Sequence, residues 1–421
     1  MGARYTDIQY GLLTTGTGYY LGEDRPDSAS ICKMIPYVRS IDINNAVNFP
    51  RLLIIEITGQ SILDKEKIPL EEIYLLYSNR YKNNLKTIIN INSWVIENSV
   101  CIGEIDVILE LIKLGIKPEH IIYLHSDFVR TNNSYTVFEH LEQLVSQHNI
   151  NTINFIFHEL HAYYRVYISQ EQPVVVFSKN RPQKCLLLTN KLRTHRALLF
   201  YQIYKKANLE NYLISLAADK LELDDFFNIK NIGLLHYNDS IEVQTMVRDD
   251  NFKKWVYSIP KSLHTFSKED YDCDILDELK INCKTGYPFD TKLYENSCLE
   301  LNQETYLIGS FFTEKTWRPI INSMPFIING GFHTYKYLEG MGYRTFGNII
   351  DQSFENEGLD IKRIELVYEQ VEAFLNNYQH HLPEIEQIVT HNKNHHYKRS
   401  FDKFNEIRQT FIKISSNFFN L

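Results

Sequence analysis

The feature that most constrains this chain is a series of short, nearly continuous apolar runs that begins at Arg51. They fall at Leu52–Ile57, Thr87–Ile91, His120–Leu124 and Ile153–Phe157. Each is too short for a core helix and too continuous for a strand with one wet face. Each therefore reads as a strand buried on both sides. Between the second and third lies Ile105–Leu114, a helix closed by Gly115-Ile116-Lys117-Pro118. Between the third and fourth, Phe138, Leu141, Leu144 and Val145 mark an amphipathic helix. Strand and helix in alternation predict a parallel, doubly wound α/β sheet.

The rhythm restarts after the turn-rich Ser178–Gln183. Lys184–Thr189 reads as a strand and Thr194–Ala207 as a helix, with further strands expected at Ile232–Tyr237 and Pro325–Asn329. Residues 1–50 and 238–300 show no clear period. From Ile361 the pattern is helical, with Ile364, Val367, Val371 and Phe374 in one stripe. Phe401, Phe404, Ile407, Phe411, Ile414 and Phe418 form a second, which reads as core packing. A chain of 421 residues exceeds one ordinary core. The expected organisation is an N-terminal α/β lobe over 1–180, a second over 181–360, and a helical tail over 361–421 that packs back on the body.

Charge and cysteine usage narrow the function classes. The net charge of −8 argues against a surface built to neutralise nucleic-acid phosphates, although a local basic groove is compatible with it. The six Cys are scattered without a C-x-x-C pair, and Cys101 and Cys185 sit among apolar residues, as reduced cysteines do. The N-terminus has no apolar signal-type segment, and no run reaches the roughly eighteen apolar residues of a membrane span. The expectation is a soluble protein of the cytoplasm, bacterial or of a phage-infected host, with no membrane span.

The densest chemical signal is Tyr294-Glu295-Asn296-Ser297, then Phe311-Phe312-Thr313-Glu314-Lys315-Thr316-Trp317, then Pro325–Asn329 with Gly330-Gly331. Thr313 followed by acidic and basic residues reads as a loop opening a helix. Such a start offers free N–H groups and the positive end of the dipole, which suits a diphosphate. Lys315 adds a point charge, and Glu314 can accept from two sugar hydroxyls. Gly330-Gly331 lets a ligand approach the backbone with no Cβ in the way. A capped helix with a surface Glu-Lys pair fits the same residues. A second element, Leu188-Thr189-Asn190-Lys191-Leu192-Arg193-Thr194-His195-Arg196, leaves a strand and opens a helix. Arg193 and Arg196 stand one turn apart, so two guanidinium forks can clamp a diphosphate. His195 reads as a hydrogen-bonding or packing residue.

The stretch from Tyr294 to Lys315 resembles the donor-binding motif of α1,3-fucosyltransferase-type enzymes, a Phe-Glu-Asn-Ser element followed by Tyr-Ile-Thr-Glu-Lys and a helix. It is more similar still to a group of phage and bacterial glycosyltransferases. These carry Phe-Ile-Thr-Glu-Lys-Thr, a Pro-Phe-Ile-Ile strand, an Asn-basic-Arg-x-His-Arg element, and a Gly-aromatic-basic-Thr-Phe element that appears here as Gly342-Tyr343-Arg344-Thr345-Phe346. The resemblance spans 184–346 and implies two Rossmann-like lobes of GT-B type and a nucleoside diphosphate sugar as donor. It assigns the diphosphate to Lys315, the nucleoside or sugar hydroxyls to Glu314 and a further donor contact to Asn296, and the expected donor site also takes in Asn190, Arg193, Arg196 and Thr313. The segment between Asn296 and Phe312 is longer here than in the fucosyltransferases.

An inverting transfer needs a carboxylate to deprotonate the acceptor hydroxyl. Glu97, after the second strand, and Asp127, after the third, follow the carboxyl ends of parallel strands, with Glu97 preferred. The acceptor is open between a glycan, a protein and a hydroxymethylated or otherwise modified DNA base, for which Lys179, Arg181, Lys184 and Lys191 would reach phosphates. A non-catalytic sugar- or nucleotide-binding or structural protein is the alternative of another class. The basic clamp makes a metal unnecessary, so no metal is expected, and Asp272-Cys273-Asp274 reads as a chance acidic triplet. His158-Glu159-Leu160-His161 lacks the H-E-x-x-H spacing of a zinc site. His391, His395 and His396 read as a solvated helix end.

Overall fold

The structure is a computed structural model. It describes residues 10–15, 38–40, 53–58, 70–85, 87–93, 98–126, 143–155, 159, 162–163, 167, 175–189, 192–216, 218, 220–228, 241–259, 291–304, 312–357 and 361–417. It is a mixed α/β protein with two parallel sheets and a long C-terminal helix. Two compact units divide the chain: residues 1–161 with 401–421, and residues 162–400. The division thus falls at 161/162 where 180 was expected, and the tail expected over 361–421 is shared between the units. No helix among the described residues is long and apolar enough to cross a membrane.

In the first unit, β1 (Tyr10–Thr15), β2 (Val38–Ser40), β3 (Leu53–Thr58), β4 (Thr87–Ser93), β5 (Ile121–Ser126) and β6 (Asn151–Phe155) form one sheet in the order β2-β1-β3-β4-β5-β6. All pairs are parallel. Between them run α1 (Leu70–Lys82) and α2 (Asn98–Leu114). Leu53, Ile55, Ile57, Ile89, Ile91 and Ile121 pack with Leu76 of α1 and Ile108 and Leu111 of α2 in one buried cluster. The predicted stop of α2 is a left-handed glycine end. Gly115 has φ 105°, its N–H donates to Ile112 O, and Ile116 N donates to Leu111 O.

The second unit is built on β7 (Cys185–Thr189), β8 (Tyr212–Leu216), β9 (Leu299–Gln303) and β10 (Phe326–Asn329), all parallel, in the order β10-β9-β7-β8. α3 (Thr194–Lys206) joins β7 to β8. After β8 come α4 (Lys220–Phe227), α5 (Ile241–Arg248), α6 (Asp250–Ser258) and the short α7 (Thr291–Glu295). The chain then crosses to the other side of β7 to lay down β9, so the strand order reverses between β7 and β9. α8 (Glu314–Ile321) leads to β10, and α9 (Thr334–Gly340) and α10 (Ile361–Asn377) follow, before α11 (Leu382–Asn417). The expected strand at Ile232–Tyr237 lies outside the described residues.

Pairing across the sheet fixes which residues share a face. Tyr212, Cys185 and Leu299 are level, and the Tyr212 hydroxyl donates to Glu372 of α10. That face is therefore covered by α10, which packs on α3. The intervening residues of β9 face α8: Glu300 pairs with Arg318 at 2.9 Å, with both side chains almost fully buried. Burial raises the Glu300 pKa, and the Arg318 charge opposes the rise. Cys185 and Cys298 are free and buried.

Two expectations about the tail need correction. Phe401, placed in an apolar core stripe, is 44% exposed, whereas Ile407 is buried as expected. His391, His395 and His396 are not a solvated end. His395 and His391 donate to the carbonyls of Met341 and Gly342, and His396 is buried against Tyr343 and Trp317. Gly342 has φ 94°, and a Cβ there would meet the His395 ring at 2.7 Å. The Gly342–Phe346 element thus serves as a docking surface for α11 within the second unit.

The buried pair generates a stability prediction. Arg318→Met leaves the Glu300 carboxylate buried without its counter-charge and should cost about 3–5 kcal/mol in urea unfolding at pH 7. Arg318→Met with Glu300→Met should recover most of that loss. Equal losses in the single and double variants would show that the pair is not what holds α8 on the sheet.

Candidate functional site at the carboxyl edge of the second sheet

In open parallel sheets a crevice forms beyond the carboxyl ends of the two strands where the order reverses. Here those are β7 and β9, and the first turns of α3 and α8 start beside them. The sequence therefore brings Arg193, Arg196, Thr313, Glu314 and Lys315 to one edge of one sheet.

The organising residue is Glu304, which sequence reasoning missed. It follows β9, is fully buried, and bonds in three directions. Its carboxylate accepts from Thr313 N at 3.2 Å, Thr313 Oγ1 at 2.6 Å and Thr316 Oγ1 at 2.7 Å, closing the start of α8. Its carbonyl accepts from His195 Nε2 at 3.2 Å and Arg196 Nη2 at 3.1 Å, fixing the start of α3. Its N–H donates to Asn329 O at the end of β10. Arg196 Nη2 also donates to Gln303 O at 3.0 Å.

This geometry corrects the expected role of the α8 start. The anion that the helix dipole favours is supplied by the chain's own Glu304, and Thr313 is its N-cap, with Oγ1 accepting from Lys315 N and Lys315 Nζ. Thr313 and Lys315 are both buried. Glu314 is the first residue of α8. Arg193 is the N-cap residue of α3 and half-buried, while Arg196 is buried in its first turn. His195 is buried and its pKa is pushed down to about 3, by burial first and then by the Arg196 charge. The ring is neutral at physiological pH, and its Nε2 donates to a carbonyl. It is a strut, as expected, and not a proton carrier.

The third wall is the end of β10. Arg363, in the first turn of α10, donates through Nη2 to the carbonyls of Gly330 and Gly331. Gly330 is closely packed: a Cβ would sit 3.1 Å from Ile328 Cγ2 and 3.2 Å from Thr334 Oγ1. Nearby, the Glu355 carboxylate accepts from Tyr335 N at 2.9 Å. Burial pushes its pKa up to about 7, against the Tyr335 amide and the Arg363 charge.

Several buried polar atoms at this edge have no hydrogen-bond partner among the described residues. They are Thr189 Oγ1, both amide atoms of Gln303 and Asn329, and both of Asn302. Each such group costs on the order of 1–3 kcal/mol when nothing meets it.

The remaining candidates lie elsewhere. Asn296 is exposed, precedes β9 at the opposite, amino end of the strand, and donates to Lys292 O, so it is not brought to the edge. Glu97, Asp127 and Asn190 lie outside the described residues, as do Lys191, Asp272, Asp274 and His158. Arg181, considered for DNA phosphates, is buried and donates to the carbonyls of Ser323, Val176 and Asn322. Lys179 forms an exposed ion pair with Glu386. A separate open cleft of about 430 Å³ is lined by Tyr201, Lys205, Gln244 and Arg248, with Lys205 paired to Asp249. Among the described residues no three His, Cys, Asp or Glu side chains cluster as metal ligands would. Comparison with protein-family models, curated proteins and solved structures found no match to this chain.

Glu355 yields a pH prediction. Between about pH 4.5 and 7 the folded state holds a proton that the unfolded state has released, so this group's contribution to stability falls as pH rises through that window. Glu355→Gln should match the wild type near pH 4 and exceed it by about 3 kcal/mol near pH 8. Parallel melting curves across the window would overturn the assignment. Glu304→Ala removes three hydrogen bonds to the start of α8 and should cost about 3 kcal/mol or more. Glu304→Gln, which can still bond both hydroxyls, should lose less in the same thermal melts.

Proposed function

We propose that this chain is a glycosyltransferase that uses a nucleoside diphosphate sugar, with its donor site at the carboxyl edge of the second sheet. The observation that carries the reading is the convergence there of basic side chains from three helix starts. Arg193 and Arg196 come from α3, Lys315 from α8 and Arg363 from α10, all at or beside the strand-order reversal. Charge-assisted bonds from guanidinium and ammonium groups are what a diphosphate requires. The same groups would stabilise the departing diphosphate as negative charge develops on it. Glu314, at the first position of α8, would meet the donor's hydroxyls.

The two sheets are read as the Rossmann-like lobes of a GT-B arrangement. The first unit would supply the acceptor side, with Glu97 or Asp127 as base. The acceptor class, whether glycan, protein or modified DNA base, is left to experiment. The burial of Arg181 removes one of the four residues offered to DNA phosphates.

Thermal shift against UDP-, GDP- and dTDP-sugars, with CMP-sugars as a monophosphate control, tests the reading. A matching donor at about 100 times its Kd should add about 2.7 kcal/mol of apparent stability. Arg193→Ala and Lys315→Ala should each weaken donor binding about tenfold or more. Silence across the panel, or unchanged binding in both variants, would remove the basis for a donor site here.

A further inference from the structure

Of the unpartnered polar groups at this edge, Asn302 lies on the α8 face of β9 with Glu300, and the others share the opposite face. In the sheet register Asn329 stands level with Gln303. Cys185 stands level with Leu299 and Leu186 with Glu300, and Thr189 and Gln303 are the last residues of these two strands. Thr189, Gln303 and Asn329 therefore form one row across the last positions of three adjacent parallel strands. Side chains alternate along a strand, so the row shares the face of Cys185 and Tyr212, the face covered by α3 and α10. All three are at most 1% exposed. Among the described residues, the Thr189 hydroxyl and all four amide atoms of Gln303 and Asn329 lack a hydrogen-bond partner.

The row also abuts the basic groups. Arg196 is anchored on the carbonyls of Gln303 and Glu304, and Arg363 on those of Gly330 and Gly331, directly after Asn329. A polar row with internal partners would be ordinary core. A row without them, on the face where two helix starts bring guanidinium groups, asks for something uncharged that can both donate and accept.

We propose that Thr189, Gln303 and Asn329 form a hydrogen-bonding rail for the vicinal hydroxyls of a sugar ring bonded to the diphosphate. This rests on the donor-site reading above. The chemistry follows from the side chains: a carboxamide offers one donor and one acceptor side by side, which matches two neighbouring hydroxyls. A phosphate can only accept, so it would use the N–H half of each carboxamide and leave the carbonyl unmet, whereas a pair of hydroxyls meets both halves. The position follows from the anchors: groups beside Arg196 and Arg363 meet the ring attached directly to a phosphate before they meet a base further out. Two rings fit that description, the transferred sugar and the ribose.

The test compares binding of a nucleoside diphosphate, its 2′-deoxy form and its sugar conjugate to the wild type and to Gln303→Leu and Asn329→Leu. In the wild type the conjugate, or the ribose form over the deoxy form, should bind about tenfold tighter. In the variants that increment should vanish, with binding of the bare (or deoxy) nucleotide unchanged. Loss of the conjugate's advantage assigns the rail to the transferred sugar, and loss of the ribose advantage assigns it to the ribose. Because the amides have no described internal partner, the unliganded variants should melt at or above the wild-type temperature. Increments that survive in both variants would overturn the rail while leaving the donor site intact. A lower melting temperature with unchanged ligand preference would mark the row as an internal water network and overturn it likewise. If the wild type binds no nucleotide at all, the donor reading fails and the rail falls with it.

Discussion

At the carboxyl edge of a parallel sheet the strands stop but their polar groups do not, and each stopped strand needs something to hold the helix that follows it. In the second sheet one residue holds three elements at once. Glu304 closes α8 through its carboxylate, seats α3 through its carbonyl, and joins β9 to β10 through its N–H. No neutral side chain could do the first of these as well. The partners are a helix-start amide and two hydroxyls in a buried place, where an ionised acceptor makes the stronger bond. The carboxylate is fully buried, and these three donors meet its oxygens there. The positions of Arg196, His195 and Lys315 follow from that one constraint, since all three bond to Glu304 or to its partner Thr313.

The two faces of β9 are consequently unlike. Toward α8 the strand carries Glu300 and Glu304, and both find donors: Arg318 for the first, the helix start for the second. This face has its charges met internally. Toward α3 and α10 the strand ends on Gln303, whose neighbours in the row are Thr189 and Asn329, and there the polar atoms outnumber their partners. The asymmetry separates what holds the edge together from what the edge is for. A helix start whose dipole is already answered by a carboxylate needs no further anion for its own stability, whereas buried carboxamides with nothing to bond leave polar atoms unmet.

Much of the fold was legible because buried parallel strands are written as apolar runs. β3, β4, β5, β7 and β10 stand where such runs stand, and α2 ends at its glycine. β9 was not legible. Leu299-Glu300-Leu301-Asn302-Gln303 alternates like a half-wet strand, yet all five residues are buried, because the polar ones face α8 or the row. Read as an over-long spacer between Asn296 and Phe312, it hid both Glu304 and the fact that Asn296 lies at the wrong end of a strand. The arginines and Lys315 were found because charge beside a helix start is visible in one dimension. The tail-histidine and Arg181 assignments went astray for the converse reason. Whether an aromatic or basic residue faces a ligand or its own backbone depends on packing partners far off in the chain, 54 residues away for His395 and Met341 and 142 for Arg181 and Ser323.

The described core of the first sheet is mostly Ile and Leu. The second sheet ends its strands on Thr189, Gln303 and Asn329, residues that lower the stability of a core unless they are met. Natural sequences satisfy local rules nearly everywhere and break them where something other than folding is selected. Here the breach gathers at the ends of β7, β9 and β10, it lies beside the reversal of strand order, and basic groups flank it. Each of these three facts alone is unremarkable. A purely structural account would need them to coincide without cause, and an account in which the row meets a hydroxylated, phosphate-bearing ligand needs only that the ligand be there.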